Sequence, residues 1–308
     1  MDRAADLDLL TIADLDVETV AGLCATAERL DRDRTGATAD VDLSGRTVAL
    51  LFDRPSTRTR LGFEAGAAYL GGHAVALSGA EVQFGRGTET TGDAARAVSA
   101  FVDAVVVRVG DHATLERFAD AAAVPVVNGL SDRAHPCEAL ADLHFLASRF
   151  ETLDGLRVTW VGDCTNVARS FAAVCVLAGV DVRVACPPAY RLDDAAACRI
   201  RSLGPGSLRF FTDPVEAVAG TAVVYTDSWV SMGREAEREE RLAAFAPYQV
   251  NRALLSHAPE AVVMHCLPAT RGEEVTTDVL DGPRSVVREQ ARTRLPMQQS
   301  ILRHVCAD

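Results

Sequence analysis

Two arginines and three hydroxyls fall within five residues, Ser56-Thr57-Arg58-Thr59-Arg60, just after the apolar run Leu50–Phe52 and Pro55. The first backbone N–H groups of a helix lack internal partners and its dipole is positive there. Hydroxyl donors and a guanidinium fork at such a point would make a phosphate cradle. The plainer reading is a Ser cap followed by two solvated arginines. No G-x-x-x-x-G-K-[ST] string is present, so this is not a P-loop nucleotide site.

Further along, His135 directly precedes Pro136, a residue suited to the first helical turn, so the imidazole sits near a helix cap. It could donate to a carbonyl oxygen or simply cap at the surface. Gly162 and Asp163 lie at a strand-to-helix turn, but only the first glycine of G-x-G-x-x-G is there, which argues against a dinucleotide. Asp163 could be a plain helix cap, and Asn166 could face the cleft. The segment Asp227–Gly233 (DSWVSMG) sets a carboxylate ahead of two hydroxyls and a Trp, which suits a cationic substrate or a turn with a packed ring. Cys266, in HCLPA, is either a buried cysteine or a thiol at an active centre.

These residues need elements to hold them. Short Val-rich runs at 47–52, 104–109, 124–128, 157–162, 181–186, 222–227 and 261–267 read as strands, apolar on both faces as buried parallel strands are. Alanine-rich stretches at 91–101, 136–149, 165–179 and 192–203 between them read as helices. This β-α alternation predicts an α/β protein with two doubly wound parallel-sheet domains. The first is expected over 1–140 and the second over 141–289, joined through the helix that begins near Pro136. A terminal helix, 290–308, is expected to pack back on the first. In open α/β sheets, ligands gather at the carboxyl ends of strands. Ser56–Arg60, Arg108, His135, Asp163, Asn166, Asp227, Cys266 and Leu267 all fall there. The expected site is the cleft between the two sheets.

Composition narrows the function. The chain has 308 residues and a formal net charge of −12, so a general nucleic-acid face is not expected. All 31 basic residues are arginine, which excludes any mechanism needing a lysine ammonium. The 8 cysteines are scattered, with no C-x-x-C and no metal-ligand spacing. No signal peptide and no apolar run of membrane-spanning length is evident. The expectation is a cytoplasmic protein with reduced thiols, without metal, cofactor or membrane partner.

In their order, STRTR, HPC, DxWxSMG and HCLPA resemble the transcarbamylases, most closely the ornithine branch, and GLSDRAHPCEALADL, VMHCLPATRGEEVT and DGPRSVV extend the resemblance over nearly the whole chain. The resemblance implies carbamoyl transfer from carbamoyl phosphate to the side-chain amine of L-ornithine, giving citrulline. It also implies two α/β domains and a homotrimer or a multiple of trimers. By matching motif, it implies that Ser56, Thr57, Arg58 and Thr59 hold the phosphate with Arg108. Thr59, Arg108 and His135 point at the carbamoyl oxygen. Gln83 reaches a neighbouring subunit's site, and the Leu267 carbonyl and Arg294 complete the carbamoyl pocket. Asn166, Asp227, Ser231 and Met232 bind ornithine, with Cys266 beside its reacting amine. Aspartate carbamoyltransferase fits less well, since it uses a lysine and lacks DxWxSMG. Three departures stand out. Glu138 replaces the usual Gln after HPC or HPT, where it could accept from the carbamoyl NH2. Thr270 replaces a His after HCLPA. Asp53 and Arg54 replace Glu and Lys. An acceptor amine other than ornithine, or a non-catalytic anion-binding relative, are the alternatives these departures leave.

Overall fold

The computed structural model describes residues 7–32, 43–82, 84, 89–231 and 233–307. Two compact units emerge, Met1–His144 with Thr293–Asp308, and Phe145–Arg292.

The first unit holds, in order, α1 (Val17–Arg32), β1 (Thr47–Phe52), α2 (Thr57–Tyr69), β2 (His73–Ser78), α3 (Thr91–Ser99), β3 (Ala104–Arg108), α4 (His112–Ala121), β4 (Val126–Leu130) and the start of α5 (Pro136–Arg149). Its four strands are all parallel, in the order β2-β1-β3-β4. β1 and β3 are central and apolar on both faces. Leu51, Val105 and Val107 pack with Leu115 and Phe118 of α4. β2 was not anticipated. It is an edge strand whose residues are exposed or half-buried, so it lacks the wholly buried character of its neighbours.

The chain returns to this unit through α13 (Arg294–Val305), which packs on α1 and α2. The predicted terminal helix is broken in two: α12 (Val287–Arg292) ends before Thr293, whose hydroxyl donates to the Ala141 carbonyl at 3.0 Å. The approach of α13 to α2 requires glycine. A Cβ on Gly62 would lie 1.6 Å from Gln298 Oε1, and one on Gly66 3.3 Å from Gln299 Cγ. That closeness lets Gln298 Nε2 donate to the Thr59 carbonyl at 3.3 Å and brings Arg294 over the first turn of α2.

The second unit holds β5 (Arg157–Val161), α6 (Asn166–Leu177), β6 (Asp181–Ala185), α7 (Asp194–Arg201), β7 (Ser207–Phe211), α8 (Pro214–Val218), β8 (Val223–Thr226), α9 (Arg238–Phe245), α10 (Arg252–Leu255), β9 (Val262–His265), α11 (Thr277–Leu280) and α12. Five parallel strands run in the order β7-β6-β5-β8-β9, reversing direction of growth at β5. β7, the other strand missed in the sequence, is again an edge. The core joins Val161, Val224 and Val263 to Trp229, Phe245 and Tyr248. No helix among the described residues is long and apolar enough to cross a membrane.

Candidate active site

In the first unit the candidate residues converge at the carboxyl ends of β1, β3 and β4. Ser56 is the N-cap of α2 with extended backbone, and its hydroxyl makes no capping bond. Thr57 is exposed, Arg58 half-buried and Thr59 buried. Arg60 turns elsewhere: its Nε meets Glu64 Oε1 at 2.9 Å and its NH1 meets Ser78 Oγ of β2 at 3.2 Å. The two arginines that look alike in the sequence therefore serve different surroundings.

Arg108 is the last residue of β3 and is buried. Beside it the sheet register slips. Val107 pairs with Asn128 and Arg108 with Leu130, so Gly129 is looped out where a Cβ would press on Val106 at 3.1 Å. The chain then turns through a loop pinned by Asn128, whose Nδ2 donates to the Leu10 carbonyl at 2.8 Å and to the Ala134 carbonyl at 3.3 Å. Ser131 is a second staple, with its hydroxyl 2.7 Å from His112 Nδ1 and accepting from Ala134 N–H at 3.2 Å. This loop delivers His135 to the start of α5. Neither Asn128 nor Ser131 stands out in the sequence, because partners such as Leu10 and His112 are brought to them only by the fold.

His135, Glu138 and Arg294 form a buried cluster. Arg294, 4% exposed, donates through NH1 to Glu138 Oε2 and through NH2 to Thr59 Oγ1 at 3.0 Å. Glu138 Oε2 also lies 3.4 Å from His135 Nε2. Burial, then the charges of Arg294, Arg108 and Arg58, hold the His135 pKa well below the usual histidine range. The imidazole is therefore neutral at pH 7 and keeps one N–H to donate. Burial and the charge of Arg294 push Arg108 down to about 10, against the pull of Asp53 and Glu138. It stays cationic at pH 7, and its buried Nε has no hydrogen-bond partner among the described residues. Three guanidiniums thus act on one buried neutral histidine. Such a place favours an anion.

The second unit carries the other candidates at its own strand ends. Asp227 follows β8 and Cys266 follows β9, and their ligand atoms lie within 4.8 Å of one another and of a His265 ring nitrogen. His265 is poorly placed to take a metal, since Nδ1 accepts from Leu267 N–H at 2.8 Å and Nε2 faces Glu274 Oε1 at 3.2 Å. Those bonds instead fix the backbone after Cys266. Leu267 is held at a φ of 59°, a left-handed conformation that a non-glycine residue adopts only under constraint. Ser228 Oγ donates to the Pro268 carbonyl at 2.9 Å and ties the DSWVS segment to HCLPA. Asn166 opens α6, half-buried, and Ser231 is also half-buried. Gln83 and Met232 lie outside the described residues.

Asp163 corrects an expectation. The N-cap of α6 is Thr165, not Asp163. The Asp163 carboxylate takes NH1 of Arg241 at 2.6 Å. Arg241 is 1% exposed and also donates to the Trp229 carbonyl at 3.0 Å and to Glu237 Oε2 at 2.7 Å. One buried arginine therefore joins the turn before Asn166 to both ends of the segment containing Ser231. The sequence offered one hint: Arg241 shares a helix face with Phe245, four residues on, which is an unusual place for a charge.

Comparison with known proteins covers nearly the whole chain. The family model of the carbamoyl-P binding domain of aspartate/ornithine carbamoyltransferase matches residues 7–148, and that of the Asp/Orn binding domain matches 154–305. The chain is 47% identical over 296 residues to the ornithine carbamoyltransferase of Methanoculleus marisnigri, covering 96% of this chain and 95% of that one. It is 46% identical over 302 residues to the Bacillus subtilis enzyme of the same name, covering 97% and 93%. The solved ornithine carbamoyltransferase of Pyrococcus furiosus superposes with a TM-score of 0.91 at 44% identity, over 97% of this chain and 96% of that one. With both domain models matched in order and relatives this similar along nearly its full length, the chain belongs to the aspartate/ornithine carbamoyltransferase family.

Proposed function

We propose that the protein transfers the carbamoyl group of carbamoyl phosphate to the side-chain amine of L-ornithine, releasing citrulline and phosphate. The observation that carries this reading is the cluster of Arg58, Arg108 and Arg294 around a buried, neutral His135. Ser56, Thr57, Arg58 and Thr59 at the start of α2, with Arg108, take the phosphate. Thr59, Arg108 and His135 donate to the carbonyl oxygen, where negative charge develops as the amine adds. Each such donor is worth roughly 10²–10³ in rate. The arginines then stabilise departing phosphate. Arg294 completes the carbamoyl pocket, and Glu138 holds it there while offering an acceptor to the carbamoyl NH2. Asn166, Asp227 and Ser231 bind ornithine, the Asp227 carboxylate meeting its ammonium, with Cys266 beside the reacting amine. By resemblance, Met232 joins the ornithine set, while the Leu267 carbonyl and Gln83 join the carbamoyl-phosphate set. A homotrimer, or a multiple of trimers, in the cytoplasm is part of the same proposal.

The test is a product assay with carbamoyl phosphate and a panel of amines. The panel includes N-acetylornithine, because a solved N-acetyl-L-ornithine transcarbamylase is 28% identical with a TM-score of 0.86. Citrulline and phosphate in equal amounts, with ornithine strongly preferred, are expected. Preference for another amine would replace the acceptor, and no turnover with any amine would overturn the reading.

A further inference from the structure

A pair of nucleophilic side chains lies in the ornithine-binding unit, and the transfer chemistry does not use it. Cys164 Sγ is 3.4 Å from Cys186 Sγ, and both are thiols. Their meeting follows from the sheet. β5 and β6 are paired neighbours with Val161 opposite Ala185, so the residues just beyond each strand end come together. By surface exposure Cys186 is buried and Cys164 half-buried. The Cys164 S–H and the Arg191 guanidinium favour the Cys186 thiolate, which makes that sulfur the better nucleophile.

The backbone around the pair is fixed on three sides. Gly162 N–H donates to the Ala185 carbonyl at 2.9 Å, and Cys186 N–H to the Phe211 carbonyl at 3.2 Å. The Asp163 carbonyl accepts from Trp160 Nε1 at 3.0 Å, and its carboxylate is held by Arg241. A disulfide needs sulfurs about 2.05 Å apart, so closing this pair takes roughly 1.4 Å of movement. With Cys186 anchored in the sheet and Asp163 pinned, that movement falls on Cys164 to Asn166, the turn that opens α6.

We propose that Cys164 and Cys186 are a modification site: they form a reversible disulfide that displaces Asn166 and weakens ornithine binding. The second half rests on the ornithine role proposed for Asn166. Closure forms one S–S bond, and each thiol gives up one proton and one electron. The oxidant is a small two-electron acceptor, either a peroxide reduced to two waters or a diazene dicarboxamide reduced to its hydrazine.

The test treats the full-length protein with diamide, the diazene named above, after removal of reductant. Intact mass is expected to fall by two hydrogens, and digestion to yield one peptide joining Cys164 to Cys186. Cys164→Ser should abolish the linked peptide, whereas Cys198→Ser, at an exposed cysteine, should leave it. In the oxidised protein the KM for ornithine should rise at least about threefold while that for carbamoyl phosphate stays within about twofold, and dithiothreitol should reverse the change. Absence of the linked peptide overturns the proposal, as does a linked protein with both KM values unchanged or both raised alike. A linked peptide in a protein that carbamoylates no amine in either redox state upholds the disulfide and overturns the transfer reading instead.

Discussion

Glu138→Gln isolates the electrostatics of the anion site. The carboxylate of Glu138 accepts from Arg294, lies 3.4 Å from His135 Nε2, and is one of two carboxylates, with Asp53, whose charge acts on Arg108. An incoming phosphate dianion meets three arginines and this opposing charge. Gln keeps the shape and one acceptor but removes the charge. At an effective dielectric near 20 and a separation of about 6 Å, each of the dianion's two charges is repelled by about 2.8 kcal/mol. Screening and the looser hold on Arg294 take back most of this, leaving roughly 1–2 kcal/mol, or about 5–30-fold tighter binding of inorganic phosphate. The same change leaves a buried guanidinium with a weaker partner, so the ligand-free protein should lose about 1–3 kcal/mol of stability. Titration calorimetry with phosphate and thermal unfolding with and without it read both effects. The expected result is a lower melting temperature without phosphate, largely restored by it. Phosphate binding that is unchanged or weaker in Glu138→Gln would rule out Glu138 as a source of repulsion at the anion site. A fall in turnover beyond about 10²-fold, or roughly 2.7 kcal/mol, would give Glu138 a part in the chemistry itself.

Other perturbations separate the remaining elements. Arg58→Ala should nearly abolish turnover in a folded protein, whereas Arg60→Ala, which loses a half-exposed pair with Glu64, should change stability by about 1 kcal/mol or less and keep most activity; matched catalytic losses would contradict the division. Gly62→Ala forces a methyl against Gln298, so it should lower stability by about 1–3 kcal/mol and raise the KM for carbamoyl phosphate by disturbing Arg294; unfolding midpoints and kinetics would show both. Burial holds His112, His135, His144 and His304 below the usual histidine pKa. The unfolded chain therefore binds protons below about pH 6.5 that the native state refuses, and stability should fall with pH there by up to about 1.4 kcal/mol per unit for each group. Denaturation midpoints between pH 7 and 5 test this, and kcat/KM should instead follow deprotonation of the attacking amine and rise toward alkaline pH.

The fold was legible where burial is complete. Runs such as Val105–Val107 are apolar on both faces because helices cover both faces of a parallel sheet, and the unbroken apolar run reports that directly. His73–Ser78 and Ser207–Phe211 escaped notice because an edge strand is half-exposed and its residues need not be uniformly apolar. The residues expected at strand ends do stand there, since a β-α turn is local in sequence. Arg241 was not visible. Its importance arises from Asp163, 78 positions away, and from a backbone carbonyl that carries no residue signature. Asp163 was misread as a cap for the same reason: a carboxylate before a helix satisfies the capping pattern, and only the fold brings Arg241 near enough to claim it. Asn128 and Ser131 show the same limit on a smaller scale, as polar residues whose work is to shape the turn before His135.

On the proposed function, the first unit supplies the grip on phosphate and the second the grip on ornithine. Calorimetric titration of inorganic phosphate into Arg108→Met and Asp227→Asn, set beside ornithine kinetics for both, tests it most directly. Arg108→Met should lose phosphate binding by at least about 10²-fold, while Asp227→Asn should keep phosphate binding within about twofold and raise the KM for ornithine by at least about tenfold. Equal loss of phosphate binding in both variants, or an unchanged ornithine KM in Asp227→Asn, would contradict it.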